Sequence, residues 1–231
     1  MFDEWLQKVT PEIVKKNFLV QINEKAEALG VSLTVEHLLP GLQKVITSEK
    51  NPPEKLQLYV RLLFKEMTRL IGFLSRSEIT AGYNGIRENL IPIFKFFFES
   101  DLVEDTTRSE LQKEVVDQLA LITKTLIHDD RVELVLPIML DLLKDDIDEE
   151  KRILGLEMLD ALVFDLGPDI CRNYLMYEIV SLQDDSVYRV RKETVKHIVN
   201  ISKVLEKQMF LGCILPVFKK LCNDQIWGVR R

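Results

Sequence analysis

The sequence predicts an all-α fold made of a row of antiparallel helix pairs. Three observations predict it. Apolar residues recur at spacings of three and four along the 231 residues, and the 9 Gly and 8 Pro fall mostly at breaks between those runs. A two-helix pattern also returns with a period of about 40 residues. No run alternates apolar and polar residues convincingly enough to suggest a strand.

The elements follow in order. Thr10-Pro11 opens a first helix as N-cap and first helical residue, and Gly30 is placed to close it. A second helix runs through residues 35–47. Asn51-Pro52 starts a third, in which Leu56, Val60, Leu63, Met67, Leu70, Ile71 and Leu74 form one stripe. Helix pairs are then expected at 89–99 with 109–126, at 131–143 with 149–166, and at 170–182 with 188–205. Residues 209–222 are expected to form a first helix whose partner is cut off. The expected organisation is a single array over 1–231. It has divergent helices over about 1–84, pairs at 85–130, 131–167 and 168–207, and an incomplete unit at 208–231.

Superposing the pairs defines the repeat. Ile91-Pro92, Leu136-Pro137 and Leu215-Pro216 occupy one place in a first helix, Leu39-Pro40 corresponds to them, and Leu175-Met176 fills the place without Pro. A helical Pro removes one hydrogen bond and bends the rod, so a shared bend is expected there. In the turn, Asp185-Ser186-Val187-Tyr188-Arg189-Val190-Arg191 overlays Asp224-Gln225-Ile226-Trp227-Gly228-Val229-Arg230. Arg152, Arg191 and Arg230 are 39 residues apart, and the earliest turn is aligned through Asp146, lacking the aromatic and the Val. Leu156, Leu159 and Leu162 then match Val195, Ile198 and Ile201.

Two amphipathic helices per period of about 40 are the mark of an α-solenoid of HEAT repeats. One pair cannot bury its apolar face alone, so neighbours must stack. A chain stopping at Arg231 would leave Ile214, Val217, Phe218 and Leu221 partly uncovered, and is expected to be an N-terminal portion of a longer array or an incomplete gene product. In the turns, Asp185 and Asp224 are placed to accept from the free N–H groups of the second helix. Each Arg is placed to reach the next repeat's Asp, forming a ladder that fixes stacking register. Tyr188 and Trp227 have the size to plug the wedge between helices, with a polar tip at the surface. Phe94, Phe96, Phe97 and Phe98 read as core. Lys192, Lys196, Lys203 and Lys207, with Arg189 and Arg191, read as a solvated basic face.

Composition narrows the function. A net charge of -6 and a pI near 5.3 disfavour nucleic acid as a partner. Cys171, Cys213 and Cys222 are odd in number and form no Cys-x-x-Cys, so neither a disulfide framework nor a zinc clip is indicated. The start is not a secretory signal and no run reaches a membrane span, so no membrane association and a cytoplasmic or nuclear location are expected. The Asn200 sequon lies inside a helical pattern. No phosphate loop, dinucleotide fingerprint, nucleophile elbow or zinc-protease motif occurs. Residues 145–150 match a calcium loop in charge only, since Lys151 stands where the turn needs Gly. His37, His128 and His197 lack the His-Glu pairs of metal-dependent HEAT hydroxylases. The expectation is no catalytic residue, no cofactor and no metal.

Residues 214–231, with Leu215-Pro216, Cys222, Asp224 and Trp227-Gly228-Val229-Arg230, resemble the HEAT-repeat family of serine/threonine protein phosphatase 4 regulatory subunit 1. Residues 179–201 are similar to another repeat of that family and to the scaffold A subunit of protein phosphatase 2A. The resemblance is specific over about 130–231. It implies a non-catalytic subunit that binds a phosphatase catalytic subunit and presents substrate or adaptor proteins to it. Carried over, Asp185, Tyr188, Arg191, Asp224, Trp227 and Arg230 become the partner-contact candidates. Another HEAT adaptor, such as the phosphatase 2A scaffold itself or a nuclear transport receptor, is the alternative. An enzyme built on HEAT-like repeats is disfavoured.

Overall fold

The computed structural model describes residues 19–47, 53–76, 80–99 and 108–231, with the side chains of 53–57, 59–60 and 108–112 outside that set. The expected helix start at Thr10-Pro11, the Asn51-Pro52 start of the third helix, and the side chains of Leu56 and Val60 therefore lie outside the described residues. The fold is all-α, with no strand among the described residues. Two compact units divide the chain, Met1–Leu126 and Ile127–Arg231.

In the first unit, α1 (Ile22–Leu33), α2 (Leu39–Ile46), α3 (Pro53–Ser75), α4 (Thr80–Gly85), α5 (Ile91–Glu99) and α6 (Arg108–Thr125) follow in order. Helix α3 packs between α1 and α6. Polar groups tie these neighbours: Asn23 Nδ2 donates to Glu66, Arg69 clasps Glu27 at 2.9 Å, and Thr68 Oγ1 donates to Gln118 at 3.0 Å. Leu63, Met67, Leu70, Ile71 and Leu74 are buried as the stripe requires. Phe94, Phe97 and Phe98 are core, with Phe64 edge-on to Phe94 at 5.2 Å, while Phe96 stays half-buried.

The second unit holds α7 (His128–Asp130), α8 (Leu136–Leu143), α9 (Glu149–Ile170), α10 (Met176–Ser181), α11 (Tyr188–Val204), α12 (Lys207–Met209), α13 (Leu215–Cys222) and α14 (Trp227–Arg230). A short turn folds α9 back on α8, α11 packs on the 182–184 turn that follows α10, and α9 and α11 pack side by side. Leu156, Leu159, Leu162, Ile198 and Ile201 are buried between them; Val195 is half-buried and Thr194 takes the interior place beside it, its hydroxyl bonded to the carbonyl of Val190.

One local device recurs in both units. A five-residue π-helical segment precedes each expected bend: Thr34–Leu38, Ile86–Leu90, Arg131–Val135, Cys171–Leu175 and Phe210–Ile214. Each closes with an i→i−5 bond, as from the Leu136 N–H to the Arg131 carbonyl. Four of the five are followed by Leu-Pro or Ile-Pro, and a wide turn accommodates the ring that would collide with the carbonyl four residues back. Cys171–Leu175 makes the same π turn, and it puts Met176-Tyr177, not the expected Leu175-Met176, in the place of Leu-Pro, so the turn does not require proline.

The links into first helices are equally regular. Gly30 (φ 75, ψ 167) and Gly167 (φ 82, ψ 172) break continuous helical runs in a region open only to glycine. Both stand four residues before a π segment, and Glu206 takes that place with φ -62 and ψ 150. Ile214, Val217 and Leu221, expected to be partly uncovered, are buried against α11 and its turn. Of that face only Phe218 is exposed, at 40%.

Candidate functional site

The turns of the second unit carry the candidate residues. Leu182–Asp184 tightens into a single 3₁₀ turn, after which Asp185 leaves the helical region and its Oδ1 accepts from the Val187 N–H at 2.8 Å. Asp224 repeats this with the Ile226 N–H at 2.8 Å. These N–H groups belong to the residues just before the second helices. The carboxylates therefore close the turns instead of capping the helices as expected. The carboxylate that does cap a helix is Asp148, which accepts from the Glu150 and Lys151 N–H groups.

The ladder is present and bidentate. Arg152 donates from Nε and Nη2 to Asp185 at 2.8 and 3.1 Å, and Arg191 donates identically to Asp224 at 2.7 and 3.1 Å. The third donor of each guanidinium returns to its own turn, Arg152 to the Asp145 carbonyl at 2.6 Å and Arg191 to the Asp185 carbonyl at 2.7 Å. Each Arg thus fixes the shape of one turn and the position of the next. The Arg191 contact, above all, holds the Asp224 carboxyl below its ordinary value of 3.8, and the same hydrogen bond raises Arg191. Arg230 repeats the inward bond to the Asp224 carbonyl, with no carboxylate partner among the described residues.

Two expectations are corrected. The earliest turn is organised by Asp145, not Asp146: Asp145 Oδ1 accepts from Ile147 and Asp148 at 3.0 and 2.7 Å, whereas Asp146 is exposed and accepts neither. The backbone bond from Asp148, first among several causes, holds the Asp145 carboxyl low. This turn is one residue longer than the others, with seven positions from Asp145 to Arg152 against six from Asp185 to Arg191. Counting from the first helix would have found it, since Leu136 to Met176 and Asp145 to Asp185 are both 40. The aromatics, second, do not plug a wedge. Tyr188 is 47% exposed and Trp227 62%, with the Arg231 guanidinium 5.0 Å from the Trp227 ring centroid. Val190 and Val229 fill the interior instead.

Of the six cations of the expected basic face, Arg189, Arg191 and Lys196 meet carboxylates. Arg189 meets Glu149 and Glu150 at 2.9 and 2.5 Å, and Lys196 meets Glu193 at 2.8 Å. Among the described residues no group of three His, Cys, Asp or Glu is arranged to hold a metal ion. His197 is buried, with Nδ1 3.4 Å from Asp160 and Nε2 3.5 Å from Glu193. Burial pushes the Cys171 thiol up to about 11, which makes it unreactive. Asn200 spends its amide on Asp160 at 2.8 Å. No helix among the described residues is long and apolar enough to cross a membrane.

Comparison with protein-family models gave no match, and comparison with curated proteins gave no significant match.

Proposed function

We propose that the chain is an array of HEAT repeats acting as a non-catalytic scaffold, which binds a serine/threonine phosphatase catalytic subunit of the phosphatase 4 type and positions substrates beside it. The observation that carries this is the edge of the second unit. Successive turns carry the same Asp and Arg, locked into a row by bidentate rungs, with Tyr188 and Trp227 standing clear of it. A rigid edge presenting exposed aromatics is a protein-docking surface. The wording of residues 214–231 supports the phosphatase assignment over other adaptors. Asp185, Arg191 and Asp224 serve by holding the edge in shape, since their donors and acceptors are already engaged. Tyr188, Trp227 and Arg230 carry the contact. The mechanism is tethering, which raises the substrate concentration near the metals of another subunit.

Co-expression of the tagged chain with a phosphatase 4 catalytic subunit, followed by affinity purification, tests this. Retention of the subunit by the parent chain and its loss with Tyr188→Ala plus Trp227→Ala, at unchanged helical content, is expected. No retention, or selective capture of the Ran GTPase, overturns it.

A further inference from the structure

Between the turns 144–148 and 182–187 the surface opens into a cleft of ≈ 580 Å³, whose floor is the Arg152–Asp185 rung. Its walls carry Lys144, Asp145, Asp146, Tyr177, Glu178 and Ser181. The next interval along the edge is built differently. There Lys220 reaches across to Asp184 at 2.5 Å, whereas the corresponding residues here are Ser181 and Lys144, which form no such bridge. Lys144 crosses this interval to Glu178 instead, at 3.1 Å.

The charges in the cleft are nearly all spoken for. Arg152 belongs to Asp185, Lys144 meets Glu178 at 3.1 Å, and Asp145 takes two turn N–H groups and Lys151 at 3.4 Å. Asp146 alone has no ion pair or hydrogen bond. Of the four carboxylates in the described lining three are paired with cations, so Asp146 leaves the cleft with one uncompensated negative charge. Tyr177, standing where the neighbouring first helices have Pro137 and Pro216, is 79% exposed and offers its ring to the same space. Ile147, 97% exposed, stands on the turn beside it.

We infer that this cleft receives an arginine or lysine side chain from an extended segment of a partner protein. Asp146 supplies the counter-charge, Tyr177 the aromatic face over which the cation lies, and Ile147 an apolar rest for the side-chain stem. The assignment deepens the partner-binding function proposed above and names the chemistry that one part of the edge selects. An acidic or phosphorylated segment would meet the unpaired carboxylate and be repelled.

The test is a titration of the 15N-labelled chain, followed by amide shifts, with acetyl-Gly-Gly-Arg-Gly-Gly-amide and its citrulline counterpart, which keeps the shape and removes the charge. The arginine peptide should shift the amides of Asp146, Ile147, Glu178 and Ser186, with citrulline binding weaker by about tenfold or more. Asp146→Asn and Tyr177→Ala should each weaken the arginine peptide about fivefold, and Tyr177→Phe should leave it unchanged. Equal binding of the citrulline peptide, shifts centred elsewhere, or indifference to both Asp146→Asn and Tyr177→Ala overturns the inference. No phosphatase takes part in the titration. Peptide binding without retention of the phosphatase subunit would reject the identity of the partner and keep the cleft; the reverse result would reject the cleft alone.

Discussion

Replacing Asp185 by Ala isolates the interaction on which the edge depends. The Arg152 and Asp185 side chains are only 10% and 8% exposed, so the variant strands two guanidinium donors where water reaches them poorly. It also removes the acceptor for the Val187 N–H. Breaking a buried pair from one side costs about 3–5 kcal/mol. Because Arg152 keeps its bond to the Asp145 carbonyl, the lower end, about 3 kcal/mol, is expected. Equilibrium urea unfolding measures the loss, and a double-mutant cycle with Arg152→Leu separates the rung from the turn bond. Glu149→Ala is the control: its partner Arg189 is 47% exposed, and the loss should stay below about 1 kcal/mol. A loss for Asp185→Ala as small as that control, or a coupling with Arg152→Leu indistinguishable from zero, would refute the view that these rungs hold the turns together.

Gly167→Ala should destabilise by about 1–3 kcal/mol through backbone strain alone, since no atom lies within 4 Å of the added methyl. Gly72→Ala, inside α3 with equally open space, should stabilise by about 0.5–1 kcal/mol, and thermal melts of the two variants should move in opposite directions. The Asp224 carboxyl is lower in the folded chain than its ordinary 3.8, so the folded state binds fewer protons there than the unfolded chain. Its stabilisation is present above that value and is lost as pH falls below it. Urea midpoints from pH 6 to 2.5 should therefore fall in the acid limb, less steeply in Asp224→Asn, and identical slopes would contradict the rung at Asp224.

How much of this was legible in the sequence depends on how local each cause is. The all-α class, the stripe of α3 and the alignment of Arg152, Arg191 and Arg230 follow from periodicity, because burial on one helical face fixes residue type at fixed spacing. Gly30 was legible as a stop because few other residues take its backbone angles. The pairing of Arg152 with Asp185 and of Arg191 with Asp224 was also legible, as a consequence of equal spacing. The shift from Asp146 to Asp145 was not, because it depends on which carboxylate oxygen meets the turn N–H groups. The exposure of Tyr188 and Trp227 was hidden as well, since Val190 and Val229 compete for the same interior space and win it. The π turn before Met176 escaped a reading tied to proline, because Tyr177 stands where the other first helices have proline. Periodicity thus determined which residues face inward and which positions correspond. Only the packed structure decided which side chain fills a shared space, and that competition between residues distant in sequence leaves no mark on local spacing.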